Sequence, residues 1–309
     1  MNTKTEETFT GSSEDAMKPV FIVNPIAGTS LCEKQFAEAE RQLKAMGAEY
    51  AVRYSEYAGH SVELAKQALA EGRKFIVAVG GDGTVNEIAS VLAGVPGVKF
   101  GILPFGTGND LASALGIPTD PAEAAKLILN GKAVPCDLGT ANGRVFANIC
   151  GLGFDVDVLR SVDKHKKGHQ GMLPYLIGIM DALRHRTKVH ARITTDGGEK
   201  MELDAMMITV CNGQRFGGGI RIAPEARPDD GLFDICIIKW IGLPTVLGLL
   251  PKAINGKHLG KKPVIYTRAK KVEITTDEEF LCETDGETVL STPLTCEIMP
   301  GALSIVRPQ

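Results

Sequence analysis

The sequence predicts two fold classes in series, a doubly wound α/β domain followed by an antiparallel β-sandwich. Up to about residue 132, short β-branched runs alternate with stretches of helical period, the pattern of a parallel sheet covered on both faces. Three of those runs end in glycine-containing turns, at 24–28, 80–84 and 106–110. Beyond residue 132 strand-like runs recur around hairpin signals, Asn142-Gly143 and Asp196-Gly197-Gly198. A length of 309 residues accommodates two cores of this kind.

Residues 1–17 are polar and aperiodic, and read as a disordered leader before domains at 18–132 and 133–309. Val20-Phe21-Ile22-Val23 is the first strand, broken at Asn24-Pro25-Ile26-Ala27-Gly28. Phe36, Ala39, Leu43 and Met46 then share a helix face. A short strand at 50–54 and a loop at 55–59 precede a helix at 60–71, with Val62, Ala65 and Leu69 in register. Phe75-Ile76-Val77-Ala78-Val79 is a buried strand running into Gly80-Gly81-Asp82-Gly83-Thr84, and Val85, Ile88 and Leu92 continue as a helix. A strand at 100–103 enters a second glycine turn, a helix opens at Leu111, and residues 121–130 form the closing helix. In the second half, strands are expected at 133–141, 144–149, 189–195, 201–211, 232–240, 264–267, 272–275 and 280–283, with helices at 172–184 and 244–254.

Composition narrows the function. A formal charge of −3 excludes a globally basic nucleic-acid binder, and no run of about 18 apolar residues could span a membrane. Seven cysteines stand singly, without a CxxC pair, and read as buried thiols in a reducing compartment.

The chemistry is concentrated in the turns. Where a strand turns into a helix, unpaired N–H groups and the helix dipole favour an anion, and glycines let a phosphate approach the main chain. Asp82 sets a carboxylate beside that phosphate, a choice that makes sense if Mg²⁺ or a polarised water lies between them. Neither a P-loop nor the protein-kinase motif set is present; His185-Arg186-Thr187 is not a catalytic-loop HRD. Phe105-Gly106-Thr107-Gly108-Asn109-Asp110 supplies a second set of small residues, with Asn109 or Asp110 either capping the next helix or positioning a ligand. The segment 224–232 is either a plain Asp-Gly turn or an oxygen-rich seat for a hard cation. Glu283, Asp285 and Glu287 are expected on one face of a strand end, where one could serve a hydroxyl nucleophile as general base. Two basic sets, Lys252 to Lys271 and Lys164, Lys166, Lys167, Arg184, Arg186 and Lys188, lie near apolar helices and read either as solvated faces or as contacts to an anionic membrane.

In this order the motifs resemble the soluble diacylglycerol kinase catalytic-domain family, which extends to sphingosine and ceramide kinases. Asn24-Pro25-Ile26-Ala27-Gly28 is similar to its NPxSG turn, Gly80 to Glu87 to GGDGTxNE, and Gly106 to Asp110 to GTxND. Phe146-Ala147-Asn148 with Gly151-Leu152-Gly153 resembles the strand opening its second domain, Pro224 to Leu232 its PxAxxDDGxL loop, and Asp285-Gly286-Glu287 its DGE. The resemblance implies an NAD-kinase- or phosphofructokinase-like α/β domain joined to a β-sandwich, with the active site in the cleft between them. It implies ATP contacts at Asn24, Pro25, Ile26, Ala27, Gly28, Ser55, Gly81, Asp82, Gly83, Thr84, Val85, Asn86, Glu87 and Thr107. It implies a structural Mg²⁺ on the carbonyls of Arg227 and Leu232 and the carboxylate of Asp230, Glu287 as proton acceptor with Asp285 as its rival, and Asp82 acting on a catalytic Mg²⁺–water network. Ala27, Thr29 and Ser55 depart from the family's serine, lysine and threonine, which leaves Lys34 or Arg53 to neutralise the triphosphate.

The expectation is thus an ATP-dependent lipid kinase, with diacylglycerol giving phosphatidic acid. It would be cytoplasmic and peripheral at the inner face of the membrane, a homodimer by resemblance, with no nucleic-acid partner. Its rivals are an NAD-kinase-like phosphotransferase, because those enzymes also carry GGDGT, and a nucleotide-binding regulator without catalysis.

Overall fold

A computed structural model describes residues 13–165, 173–217 and 219–308. Its first element, α1 (Ser13–Ala16), falls inside the expected leader. Lys74 N–H donates to Ala16 O (2.7 Å) and Arg73 to Asp15 O (2.8 Å), so residues 13–17 belong to the fold, while the leader's first twelve lie outside the described residues.

The chain continues through β1 (Val20–Val23), α2 (Ala27–Ser30), α3 (Cys32–Ala45), β2 (Ala51–Tyr54), α4 (His60–Ala70), β3 (Phe75–Gly80), α5 (Asp82–Leu92), β4 (Lys99–Pro104), α6 (Asp110–Ala114) and α7 (Pro121–Asn130). Strands β2-β1-β3-β4 form a parallel sheet in that order. Alternate residues serve opposite faces. Phe21, Val23, Val77 and Val79 pack with Phe36, Leu43 and Ile128 of α3 and α7, whereas Val20, Ile22, Ile76 and Ala78 pack with Leu64, Val85 and Ile88 of α4 and α5. The sheet is doubly wound, as expected. Helix α7 begins with Pro121 behind Asp120, whose carboxylate accepts from the N–H groups of Ala122 and Glu123. Helix α4 buries Ser61, Leu64, Ala65 and Ala68; of the expected stripe Ala65 is buried and Val62 and Leu69 are half-buried, and Ser61 turns inward to bond the Glu87 carboxylate.

The second half comprises β5 (Lys132–Ala141), β6 (Arg144–Phe146), β7 (Ile149–Gly153), α8 (Phe154–His165), α9 (Leu173–Ala182), β8 (Val189–Thr195), β9 (Lys200–Cys211), β10 (Phe233–Lys239), α10 (Leu243–Ile254), β11 (Val264–Ala269), β12 (Lys271–Thr276), β13 (Leu281–Thr284), β14 (Glu287–Ser291) and β15 (Leu294–Arg307). Its sandwich closes on Phe146, Val189, Ile193, Ile208, Phe233, Ile274 and their neighbours. Asn142 and Gly143 both take positive φ (47° and 82°), as a type I′ turn between β5 and β6 requires. Helices α8, α9 and α10 cover the outer face of β7, β9 and β10 through a separate apolar cluster.

Two features depart from expectation. Helix α8 forms where no element is expected, over a segment that alternates apolar and acidic residues, Phe154-Asp155-Val156-Asp157-Val158. The final strand β15 pairs antiparallel with β5 and β12 and reaches β4 in parallel at Ile305, opposite Phe100. The two domains therefore share one mixed sheet through the end of the chain. All seven cysteines are buried free thiols, as expected. Of the basic set expected around the 172–184 helix, Lys166 and Lys167 lie outside the described residues, as does Met172, the first residue of that expected helix.

Candidate active site

The three glycine turns meet at one rim of the parallel sheet. Gly106 and Gly81 touch backbone to backbone: a Cβ on Gly81 would come within 3.1 Å of Gly106 Cα. Gly28, at φ 58°, lies so close to Phe105 O that a side chain there would overlap it. Asn24 is fixed on both sides, its Nδ2 donating to Thr84 Oγ1 (3.1 Å) and its Oδ1 accepting from Ile26 N–H (3.3 Å). Ser55, buried at the end of β2, donates its N–H to Val23 O (2.8 Å) and so sits next to Asn24. Around this ring Thr84 and Val85 are buried, Pro25, Ala27 and Glu87 half-buried, and Ile26 and Thr107 exposed. Asn86 Oδ1 is buried without a hydrogen-bond partner among the described residues. A Cβ on Gly83 would meet nothing within 4 Å, so this glycine faces open space at the start of α5.

Asp82 bridges two turns. Its Oδ1 accepts the Asp110 N–H (2.7 Å), with the N–H groups of Asn109 and Leu111 close by, and in this way it covers the start of α6. The sequence offered Asn109 or Asp110 as the cap. Instead Asn109, at φ 53°, closes a loop onto Gly106 through paired bonds of 3.0 Å. Burial pushes the Asp82 carboxyl up from its ordinary range, against the pull of those N–H donors.

From the other domain, Asp285 points into the same cleft. Asp285 and Gly286 have φ of 48° and 88°, the two central positions of the β13–β14 turn. The expectation of three acids on one strand face is corrected here, because positive φ reverses the chain between them. Glu283 is buried, Asp285 sits in the turn, and the Glu287 side chain is 54 % exposed. The Asp285 carboxylate accepts from three consecutive N–H groups, Ala147 (2.6 Å), Asn148 (3.0 Å) and Ile149 (2.9 Å). Those donors are freed because the strand expected at 144–149 breaks between β6 and β7. Burial pushes Asp285 up to about 6, and the Asp82 charge opposite adds to the rise. Glu287 forms an ion pair with Arg144, whose Nε also donates to Thr284 Oγ1 (3.2 Å). Across the cleft, burial raises Glu87, and the charge of Glu287 contributes.

Carboxylates from both domains thus face one ring of glycine turns. Among the described residues no three His, Cys, Asp or Glu side chains form a ready-made metal cage. Facing oxygens of this kind fit Mg²⁺, which keeps several waters and takes its other ligands from substrate phosphates.

The 224–232 turn is tied down separately. Asp137 on β5 accepts the N–H groups of Gly231 and Gly301 (both 2.7 Å), and Asp229 pairs with Arg307 (2.7 Å) and Arg227 (3.4 Å). Asp230 accepts the Leu232 N–H (3.1 Å) and pairs with Arg268. Sequence reasoning did not single out Arg144, Asp137 or Ser61. Their partners lie 143, 94 and 164 (Asp137), and 26 residues away in the chain, and only the strand pairings and helix packing bring them together. Arg53, one of two candidates to neutralise triphosphate charge, is paired with Glu71; the other, Lys34, is exposed on α3.

A doubly wound domain and a sandwich with acids facing phosphate-sized turns define a two-domain phosphotransferase. Comparison with known proteins gives the particular family. Residues 18–141 match the diacylglycerol kinase catalytic domain, and residues 148–307 the YegS C-terminal NAD kinase beta sandwich-like domain. The chain is 32% identical to a diacylglycerol kinase of Bacillus subtilis, over 86% of this chain and 88% of that one. It is 34% identical to a probable lipid kinase YegS-like of Pseudomonas aeruginosa, covering 85% and 86%. A putative diacylglycerol kinase from Bacillus anthracis superposes with a TM-score of 0.79 at 29% identity, over 94% of this chain and 97% of that one. An NAD kinase from Archaeoglobus fulgidus, at 16% identity and a TM-score of 0.50 over 94% and 93%, shares the fold alone. The chain belongs to the diacylglycerol kinase family of lipid kinases, phosphotransferases that use an alcohol acceptor.

Proposed function

We propose that this protein transfers the γ-phosphoryl group of ATP to a lipid hydroxyl, converting diacylglycerol to phosphatidic acid. The observation that carries the proposal is the convergence of Asp82, from the glycine-turn rim, with Asp285 and Glu287, from the sandwich, on one cleft. Phosphoryl transfer needs in-line positioning and charge neutralisation more than covalent help from the protein. The ring from Asn24 to Gly28, with Ser55, Gly81 to Glu87 and Thr107, holds the nucleotide, and Gly83 leaves the start of α5 open to a phosphate. Mg²⁺, when bound with the nucleotide, offsets triphosphate charge, and Asp82 and Asp285 are the carboxylates placed to orient it. Glu287 takes the proton of the attacking hydroxyl, held in place by Arg144. Asp285 is its rival for that role.

The acceptor reading is supported by the apolar lining of a small, partly open pocket of about 50 Å³ beneath α8, α9 and α10. Its wall includes Phe154, Ile179, Leu249 and Asp155, and Asp155 neighbours Glu283, two residues before Asp285. A lining this apolar suits the hydrocarbon of a lipid acceptor better than the polar groups of a dinucleotide. The relatives from B. subtilis and P. aeruginosa, a diacylglycerol kinase and a probable lipid kinase, support the same choice over NAD. No described helix is long and apolar enough to cross a membrane. From the resemblance to the family alone, we place the enzyme in the cytoplasm, peripheral to the inner membrane face and dimeric. Incubation with labelled ATP and either a lipid panel or NAD, with products separated by thin-layer chromatography, tests the reading. Label is expected in phosphatidic acid; label in NAD, or in no acceptor, overturns it.

Arg227, Asp230 and Leu232 are the proposed seat of a second, structural Mg²⁺, which would share Asp230 with Arg268. EDTA should then lower the melting temperature of the wild type but not of Asp230→Asn. Equal melting with and without Mg²⁺ leaves Arg268 as the cation that Asp230 pairs with among the described residues, and removes the seat.

A further inference from the structure

Helix α10 turns one face inward and leaves the other bare. Val246, Leu249 and Ala253 wall the apolar pocket, whereas Leu243 and Leu247, one turn apart, are 42 % and 47 % exposed. Pro244, Gly248 and Pro251 complete the outer face, and the helix carries no charge before Lys252. Exposed leucines on an uncharged helix face mark a contact surface.

The surroundings identify what it contacts. From Ile235 to Val272 the chain holds eight Lys and Arg and no Asp or Glu, within a protein of formal charge −3. Lys239, Lys252, Lys257, Lys261 and Lys262 are exposed, and none forms an ion pair among the described residues. They bracket α10. Lys239 N–H donates to Pro263 O (2.9 Å), which brings Lys261 and Lys262 beside the approach to the helix, while Lys257 N–H donates to Lys252 O (2.7 Å) at its far end. Trp240, the only tryptophan in the chain, lies just ahead of the helix, with the Arg186 guanidinium 5.2 Å above its ring. Arg186 also donates to Ile241 O (3.0 Å) and anchors this approach.

We propose that the outer face of α10 docks on an anionic phospholipid bilayer, with Leu243 and Leu247 entering the headgroup–acyl boundary and the flanking lysines pairing with lipid headgroups. Apolar residues ringed by unpaired cations are the chemistry of such a surface, and Trp240 suits the interfacial layer. A second copy of this chain is a poor occupant. A two-fold contact is self-complementary and would set each lysine cluster against like charge. The inference extends the lipid-kinase reading to the membrane that would present the substrate, and it can be read without turnover.

The test is co-sedimentation of the full-length protein with vesicles of phosphatidylcholine alone or mixed equally with phosphatidylglycerol, together with quenching of Trp240 by brominated lipid. Wild type should sediment and be quenched only with the anionic vesicles, and lose this in high salt. Leu243→Glu/Leu247→Glu, and separately Lys252→Glu/Lys257→Glu, should bind at least ten-fold more weakly while melting like wild type and phosphorylating dispersed short-chain diacylglycerol normally. Wild-type binding by both variants, or equal binding to both vesicle types, overturns the proposal. So does gel filtration showing a wild-type dimer that the leucine variant converts to monomer, because the face would then be a subunit interface. Vesicle binding lost in the variants of a protein that phosphorylates no lipid leaves the docking surface standing and removes the kinase reading alone.

Discussion

Asp285 is pulled in two directions, and the balance sets a pH dependence. Three N–H donors favour its ionised form, while burial and the Asp82 charge opposite favour the proton and hold it at about 6. Catalysis by this cleft needs the carboxylate, so kcat/KM should fall as pH drops through about 6. A profile flat from pH 5 to 8 would show that Asp285 does not titrate in the free enzyme or does not matter to the reaction. The acids themselves were legible in the sequence, because each sits in a short motif with little freedom of placement. Their partners were not. Arg144 reaches Glu287 across 143 residues, and Ala147 and Asn148 meet Asp285 only because a strand breaks where the sequence reads as continuous.

At the scale of elements, the glycine turns divide into those the fold needs and those a ligand needs. Gly106 packs on Gly81, and a Cβ there would also lie 2.9 Å from Asn109 Oδ1, so Gly106→Ala must push the two turns apart at their backbones. It should cost about 1–3 kcal/mol and lower the melting temperature. A Cβ on Gly83 would meet none of the described residues within 4 Å, and Gly83→Ala should leave stability unchanged or raise it by up to ~1 kcal/mol through helix propensity. The same change should weaken ATP binding at least ten-fold by calorimetry. Unaltered affinity would mean that no phosphate approaches this residue. The element pattern of the parallel half was readable because β1 and β3 are apolar throughout and their flanking helices keep one buried stripe. Helix α8 was not, since Asp155 and Asp157 between Phe154, Val156 and Val158 imitate the period of a strand.

In the whole molecule, the end of the chain joins the two halves, with β15 running from β12 along β5 to β4. Nothing local in Leu294–Arg307 announces that role, because it depends on pairings set by all the preceding strands. Beside the cleft the sandwich buries two acids, Asp155 and Glu283; burial raises both, and Asp155 is held up at about 7. An unfolded Asp ionises near pH 4, so between about 4 and 7 the folded protein keeps a proton that the unfolded chain releases. Stability therefore falls as pH rises across that window and levels off above it. Asp155→Asn should melt with a smaller loss between pH 5 and 7.5 than wild type, and an equal loss would deny that this carboxyl is protonated in the fold. What the two domains jointly build is the carboxylate cleft, tested most directly by labelled phosphoryl transfer to diacylglycerol in wild type and Glu287→Gln, with ATP affinity measured alongside. The variant should lose about 10²–10⁴-fold in turnover and bind ATP as wild type does; undiminished turnover would contradict the assignment of Glu287 and the cleft mechanism built on it.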